Sequence, residues 1–190
     1  MKRLLILLVL MLPGSALAFN AVTVYGTTEE NKPVRLQYVT DVQVERFRLA
    51  GVANFDDQRY QIKPRVTVDL VSVEGVTLQL AYQREWFVNN LPRKHIDLDM
   101  ARYGAGIRHT TGPVTHELNL YTTRVEDFLT VRFAPKWAVN NQFWTDFETK
   151  DWWNQLSLSY RLTPSVSLVA QHAAQANRQD ILRGGISWKF

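Results

Sequence analysis

The sequence predicts an all-β chain folded as a single antiparallel transmembrane β-barrel, with twelve strands favoured and ten as the alternative. Three observations lead there. Val34, Leu36, Tyr38, Thr40, Val42 and Val44 alternate with polar residues without a break, over the roughly 9–11 residues that a tilted strand needs to cross a bilayer. At the other end of the chain, Leu182, Gly184, Ile186, Trp188 and Phe190 share one parity, and Arg183, Gly185, Ser187 and Lys189 the other. In water such a strand would offer a bare apolar face and an open edge; in a barrel the face meets lipid and the first strand closes the edge. Finally, the mean hydropathy is only −0.20, as expected where lipid-facing and lumen-facing residues cancel in any window.

The N-terminus is read separately. Lys2 and Arg3 precede the apolar run Leu4 to Leu12, followed by Pro13, Gly14 and Ala16-Leu17-Ala18. A basic start, a short apolar stretch and an A-x-A site describe a secretory signal peptide, and the run is too short to span a bilayer as a helix. Residues 1–18 are therefore expected to be cleaved. Residues 19–190 form one barrel domain, exported to the cell outer membrane. Processing removes two of the bases behind a formal net charge of +4, so overall charge implies no particular partner, and none is expected among nucleic acids. With no cysteine there is neither a disulfide framework nor a thiolate site. No metal-ligand or phosphate-loop spacing is present, and no cofactor is expected.

The elements follow in order. Asn20 to Thr27 is a short opening strand, closed by the polar stretch 28–33. Val34 to Val44 is the second. The apolar parity flips after Val44, onto Phe47, Leu49, Gly51, Ala53 and Phe55, so a two-residue turn at Glu45-Arg46 keeps both strands facing lipid. One long bulged strand is the alternative that gives ten. Asp56-Asp57-Gln58 turns into the hairpin Tyr60–Ser72 and Val76–Val88, joined at Glu74-Gly75. Asn89 to Asp99, with Pro92, Arg93, Lys94, Asp97 and Asp99, reads as the longest loop. Ala101–Thr110 and Val114–Thr123 flank Thr111-Gly112-Pro113, and a loop over 124–127 follows. Phe128–Val139 and Gln142–Phe147 flank Asn140-Asn141. Asn154–Leu162 and Val166–Ala173 flank Thr163-Pro164-Ser165, and Gln175 to Asp180 leads into the last strand.

An even strand count puts both ends in the periplasm. The turns at 45–46, 74–75, 111–113, 140–141 and 163–165 are then periplasmic. Loops 28–33, 56–58, 89–99, 124–127, 148–152 and 175–180 lie outside. Aromatics fit interfacial girdles: Trp86, Tyr103, Trp152 and Trp153 at the outer rim, and Trp137, Phe143, Tyr160, Trp188 and Phe190 at the inner. The terminal segment resembles the signal by which Gram-negative bacteria recognise outer-membrane barrels for insertion. Arg183, Gly185, Trp188 and Phe190 hold its positions, which makes the barrel-assembly machinery an expected partner beside outer-membrane lipid and lipopolysaccharide.

The inward parity is rich in arginine. Arg35, Arg48, Arg65, Arg102, Arg108, Arg132, Arg161 and Arg183 are expected to line a pore, with Lys136 and Lys189, against the acids Asp41, Asp69, Glu85 and Glu117. A guanidinium binds carboxylate or phosphate bidentately, so ten bases against four acids favour an anion path. Narrow barrels also fill their interiors with paired Arg and carboxylate side chains, and that alternative stays open.

Lys63-Pro64-Arg65 leads through a tight turn to Leu78-x-Leu80-x-Tyr82-x-Arg84, and further on stands Asn154-Gln155-Leu156-Ser157-Leu158-Ser159-Tyr160. With the terminal strand, these resemble the oligogalacturonide-specific porin (KdgM-type) family. The resemblance implies a small monomeric twelve-stranded channel with arginine tracks for acidic oligosaccharides. Catalysis is not expected. Ser167 and His172 fall on opposite faces of one strand, His109 and His116 lie near a turn, and His95 with Asp97 and Asp99 has no specific spacing.

Overall fold

The computed structural model describes residues 17–28, 34–55, 59–89, 96–176 and 179–190. The strands are β1 (Leu17–Thr27), β2 (Val34–Val44), β3 (Phe47–Phe55), β4 (Arg59–Val73), β5 (Val76–Asn89), β6 (Ile96–Thr111), β7 (Val114–Tyr121), β8 (Arg124–Ala134), β9 (Trp137–Asp146), β10 (Trp152–Arg161), β11 (Val166–Gln175) and β12 (Ile181–Lys189). Each pairs antiparallel with its neighbours in sequence, and β1 pairs with β12 to close the barrel. The seam runs from Ala21 opposite Lys189 to Thr27 opposite Arg183.

The parity flip at Glu45-Arg46 is a hairpin turn: Val44 pairs with Phe47 and Val42 with Leu49, and twelve strands result. At the next such turn Glu74 and Gly75 both have positive φ, 48° and 82°, as a tight hairpin twisted like its strands requires. A Cβ on Gly75 would also stand 2.7 Å from the Thr110 carbonyl oxygen. Leu70 is an extra residue between the pairs Asp69–Gln79 and Val71–Leu78. This bulge lets Leu70 and Val71 both lie exposed.

Three expectations are corrected. The turn expected at Asn140-Asn141 lies at Pro135-Lys136, and the two asparagines sit inside β9. Proline has no N–H for a ladder and suits a turn. The asparagine side chains, which favour turns by bonding locally, are satisfied here across strands: Thr130 Oγ1 donates to Asn140 at 2.9 Å and Asn141 Nδ2 to Asn154 Oδ1 at 2.7 Å. Second, residues 124–127 open β8 and are no loop; only Thr122-Thr123 separates it from β7. Third, the long loop is shorter than expected, because Asp97 and Asp99 belong to β6. Positions 29–33, 56–58 and 90–95, with His95, lie outside the described residues.

The five turns 45–46, 74–75, 112–113, 135–136 and 162–165 share one end of the barrel with the start of β1 and the end of β12. Trp137 there packs on Tyr160 at 4.6 Å between centroids and on Phe133 at 6.4 Å. The register shift moves Phe143 to the other end, opposite Asn154 near the start of β10. Trp153 shares the parity of Gln155 and Ser157 and faces the lumen.

The lumen as candidate functional site

Alternation directs every second side chain inward, and the inward set forms two tiers. Near the end away from the short turns, a hydrogen-bonded belt passes from strand to strand. Gln171 Nε2 donates to the Tyr25 hydroxyl at 2.7 Å, and that hydroxyl to Gln37 Oε1 at 3.3 Å. Gln37 Nε2 donates to Asn54 Oδ1, Asn54 Nδ2 to Gln61 Oε1, and Gln61 Nε2 to Glu85 Oε1, at 2.9, 3.1 and 2.6 Å. Glu85 Oε2 accepts from Arg102 Nη1 at 3.1 Å and Arg124 Nη1 at 3.3 Å. Both arginines also lie 3.6 Å from Asp146 Oδ2. The belt thus runs from β11 through β1 to β5 and on to β6, β8 and β9.

Beside it stands Glu126, 0 % exposed. It receives Lys63 Nζ at 2.9 Å and Gln83 Nε2 at 3.2 Å, with Arg124 Nη1 at 3.6 Å. Lys63 is on β4 and Glu126 on β8, so this pair spans the lumen. Arg124 is further held over the Trp144 ring at 4.0 Å.

The second tier lies nearer the short turns. Arg48 grips both Asp41 oxygens, Nε to Oδ1 at 2.8 Å and Nη2 to Oδ2 at 2.6 Å, and reaches across to Glu117 Oε2 at 2.8 Å. Arg65 Nη1 stands 2.9 Å from Glu117 Oε1, with its guanidinium 4.6 Å from the centre of the Phe128 ring. Asn119 donates to Glu117 and accepts from Gln79, at 2.8 and 2.9 Å. Arg108 Nη2 meets Asp69 Oδ2 at 2.7 Å. Gly106 makes room for this tier, since a Cβ there would come within 2.2 Å of Asn119 Oδ1. Gly106→Val should therefore displace Asn119 from Glu117 and cost about 1–3 kcal/mol. Denaturant unfolding from lipid vesicles would measure it, and an unchanged midpoint would contradict this packing.

Below the second tier a cavity of about 430 Å³ opens at the short-turn end, lined by Phe19, Asp41, Gln43, Arg48, Arg108, Thr115 and Lys189. Three cations and one carboxylate line it, with Glu117 and Asp69 behind Arg48 and Arg108. Lys189 Nζ lies 4.9 Å over the Phe19 ring with no carboxylate partner among the described residues, and Arg108 commits one of its five N–H donors to Asp69.

The expected pore residues divide accordingly. Arg48, Arg65, Arg102 and Arg108 join the ion-paired tiers. Arg183, only 7 % exposed, reaches Gln155 Oε1 at 3.5 Å, and half-buried Arg35 lies near the start of β2. Arg132 and Arg161 keep the inward parity but emerge exposed beside the short turns; Arg161 Nη2 donates to the Pro135 carbonyl. Lys136 was expected inside but lies in the turn, its ammonium 6.0 Å over the Tyr160 ring. The ratio of ten bases to four acids is thereby corrected. Among side chains described inside the barrel, Arg35, Arg48, Lys63, Arg65, Arg102, Arg108, Arg124 and Arg183 face Asp41, Asp69, Glu85, Glu117, Glu126 and Asp146. Lys63 was within reach of the alternation, two residues from Arg65. Arg124 and Glu126 share the parity of Arg132, but the charged stretch 124–127 carries the local composition of a loop.

The three described histidines stand outside this interior. His109 and His116 are register partners on the lipid-facing parity, and His172 Nε2 bonds Asp180 Oδ2 at 2.9 Å. Ser167 faces the opposite side of β11.

No protein-family model and no curated sequence matches the chain. Solved structures do. A KdgM porin in complex with disordered oligogalacturonate superposes with a TM-score of 0.62 at 11 % identity, over 90 % of this chain and 99 % of that one. A NanC porin gives 0.57 at 9 % identity, over 90 % and 100 %. Outer membrane phospholipase A from Escherichia coli gives 0.60 at 10 % identity, over 89 % and 92 %. The resemblance to KdgM-type porins is thus one of fold, and a porin and a phospholipase share that fold equally well with this chain.

Proposed function

We propose that the chain is an outer-membrane channel of the porin type, passively admitting small anionic solutes, with its short-turn end in the periplasm. The observation that carries this reading is the cavity at that end, where Lys189, with no carboxylate partner among the described residues, stands with Arg48 and Arg108, whose partners are Asp41, Glu117 and Asp69. A confined cationic mouth gathers anions, because its charges are screened less than on an open surface. The eight described interior bases, Arg48 and Arg108 among them, against six acids carry the same sign. Acidic oligosaccharides enter only as a candidate within this class, through the likeness to a porin solved with oligogalacturonate. Outer-membrane placement is supported by the exposed leucines, valines and aromatics along the outward parity. The barrel-assembly machinery, outer-membrane lipid and lipopolysaccharide are the partners this placement calls for.

A second reading, a closed structural barrel, is favoured by the belt and by Tyr25, Glu126 and Ala173, each at most 2 % exposed. Bilayer recording separates the two. A channel gives steps in conductance and a reversal potential, under a salt gradient, on the anion side. Lys189→Glu should move that potential toward cations with little change in stability, because Lys189 is exposed. Silent recordings from correctly refolded protein would establish the closed barrel. Conductance whose selectivity ignores Lys189→Glu would refute the anion path.

A further inference from the structure

We propose that the lipid-facing surface of β7 and β8 is the contact through which two copies of this chain form a two-fold dimer in the membrane, in place of the monomer that the family resemblance implies. This goes beyond the channel reading and does not depend on it. His116 Nε2 and Asp127 Oδ1 lie 2.9 Å apart, and both belong to the outward parity. Their side chains are 46 % and 37 % exposed, so the pair is presented to the surroundings and not folded into the wall. Around it on the same face stand Leu118, Leu120 and Leu129, all exposed, which marks the hydrocarbon band. Asp127 is the fourth residue of β8, followed by seven more strand residues, so it does not lie at the strand's end.

Hydrocarbon is a poor solvent for such groups. Ionisable side chains at membrane depth normally turn to a protein interior or to an aqueous cavity, and polar side chains facing lipid serve as contacts between membrane segments. Here the polar surface continues sideways. Exposed His109 lies opposite His116, and on the other flank Asn141 Nδ2 donates to the outward Asn154 at 2.7 Å.

The pairing of hydrogen-bond donor and acceptor selects the occupant. A two-fold contact brings the same patch of both subunits together, so the patch must complement itself. His116 and Asp127 are hydrogen-bonded neighbours and therefore lie at nearly the same depth. An axis along the membrane normal, passing between them, carries each imidazole to the partner's carboxylate. Two half-exposed pairs then become one four-membered cluster sheltered from lipid, framed by leucines from both copies. A patch of acceptors alone would repel its own copy; this one offers an imidazole donor to the partner's carboxylate acceptor.

The absence of cysteine makes the test clean. Leu118→Cys places a single thiol beside the pair, and Leu36→Cys places one on β2, on the far side of the barrel. Oxidation in native outer membranes should give a disulfide-linked species of twice the chain's mass from Leu118→Cys, and none from Leu36→Cys. Adding His116→Leu and Asp127→Leu should abolish the linked band, while heat-modifiable migration shows that the barrel still forms. Three results would overturn the proposal: no cross-link at Leu118→Cys beyond that at Leu36→Cys, a cross-link only to a protein of another mass, or one that survives the double replacement in a folded barrel.

Discussion

Replacing Glu126 by alanine should lower the stability of the refolded barrel by about 3–5 kcal/mol, the usual cost of removing one partner from a buried ion pair. Glu126 is 0 % exposed and holds Lys63, Gln83 and Arg124 together. Its loss leaves the Lys63 ammonium and the Arg124 guanidinium close together in a buried part of the barrel wall. The effect should reside in the charges and not in the volume. Lys63→Met combined with Glu126→Met should recover much of the loss, since a buried pair exchanged for apolar side chains of similar size is often neutral. Urea unfolding from lipid vesicles, with tryptophan fluorescence as the probe, gives both values. Should Glu126→Ala and the double replacement cost the same, the ion pair would not be what stabilises this half of the lumen.

Phe190→Asn should sharply reduce the folded barrel in the outer membrane while the exported chain accumulates in the periplasm. Trp188 and Phe190 are 43 % and 67 % exposed on the lipid-facing parity of the seam. There β12 pairs with β1 and β11 at once, and the Phe190 amide donates to the Asn20 carbonyl at 3.0 Å. Burying a phenylalanine side chain in an apolar phase contributes about 2 kcal/mol. Asparagine forfeits that in the strand whose pairing closes the barrel. Cell fractionation with heat-modifiable migration reads the outcome, and normal outer-membrane levels of folded Phe190→Asn would count decisively against it. Export itself should be unchanged, since the N-terminal segment is untouched.

By itself the sequence determined the architecture. Alternation over bilayer-length segments, the parity flip at Glu45-Arg46 and turn residues such as Glu74-Gly75 are local signals, and a period of two leaves a strand little freedom over which face meets lipid. Twelve strands and the inward placement of Arg48, Arg65, Arg102, Arg108 and Arg183 follow from them. Local signals also misled where two competed. Asn140-Asn141 reads as a turn from its residue types alone, but Thr130 on β8 and Asn154 on β10, both brought near by strand pairing, satisfy its amides, and Pro135 takes the turn. The same stretch of chain holds Arg124 and Glu126, whose residue types read locally as a loop and which open β8. Only the tertiary structure decided which inward charges neutralise one another. Lys63 meets Glu126 and Arg48 meets Glu117 across the lumen, between strands four places apart around the barrel. Parity gives the direction in which a side chain points. Which group it meets there depends on the closure of the barrel, the stagger of its strands and the room left by Gly106, and none of these is encoded in a local stretch of residues.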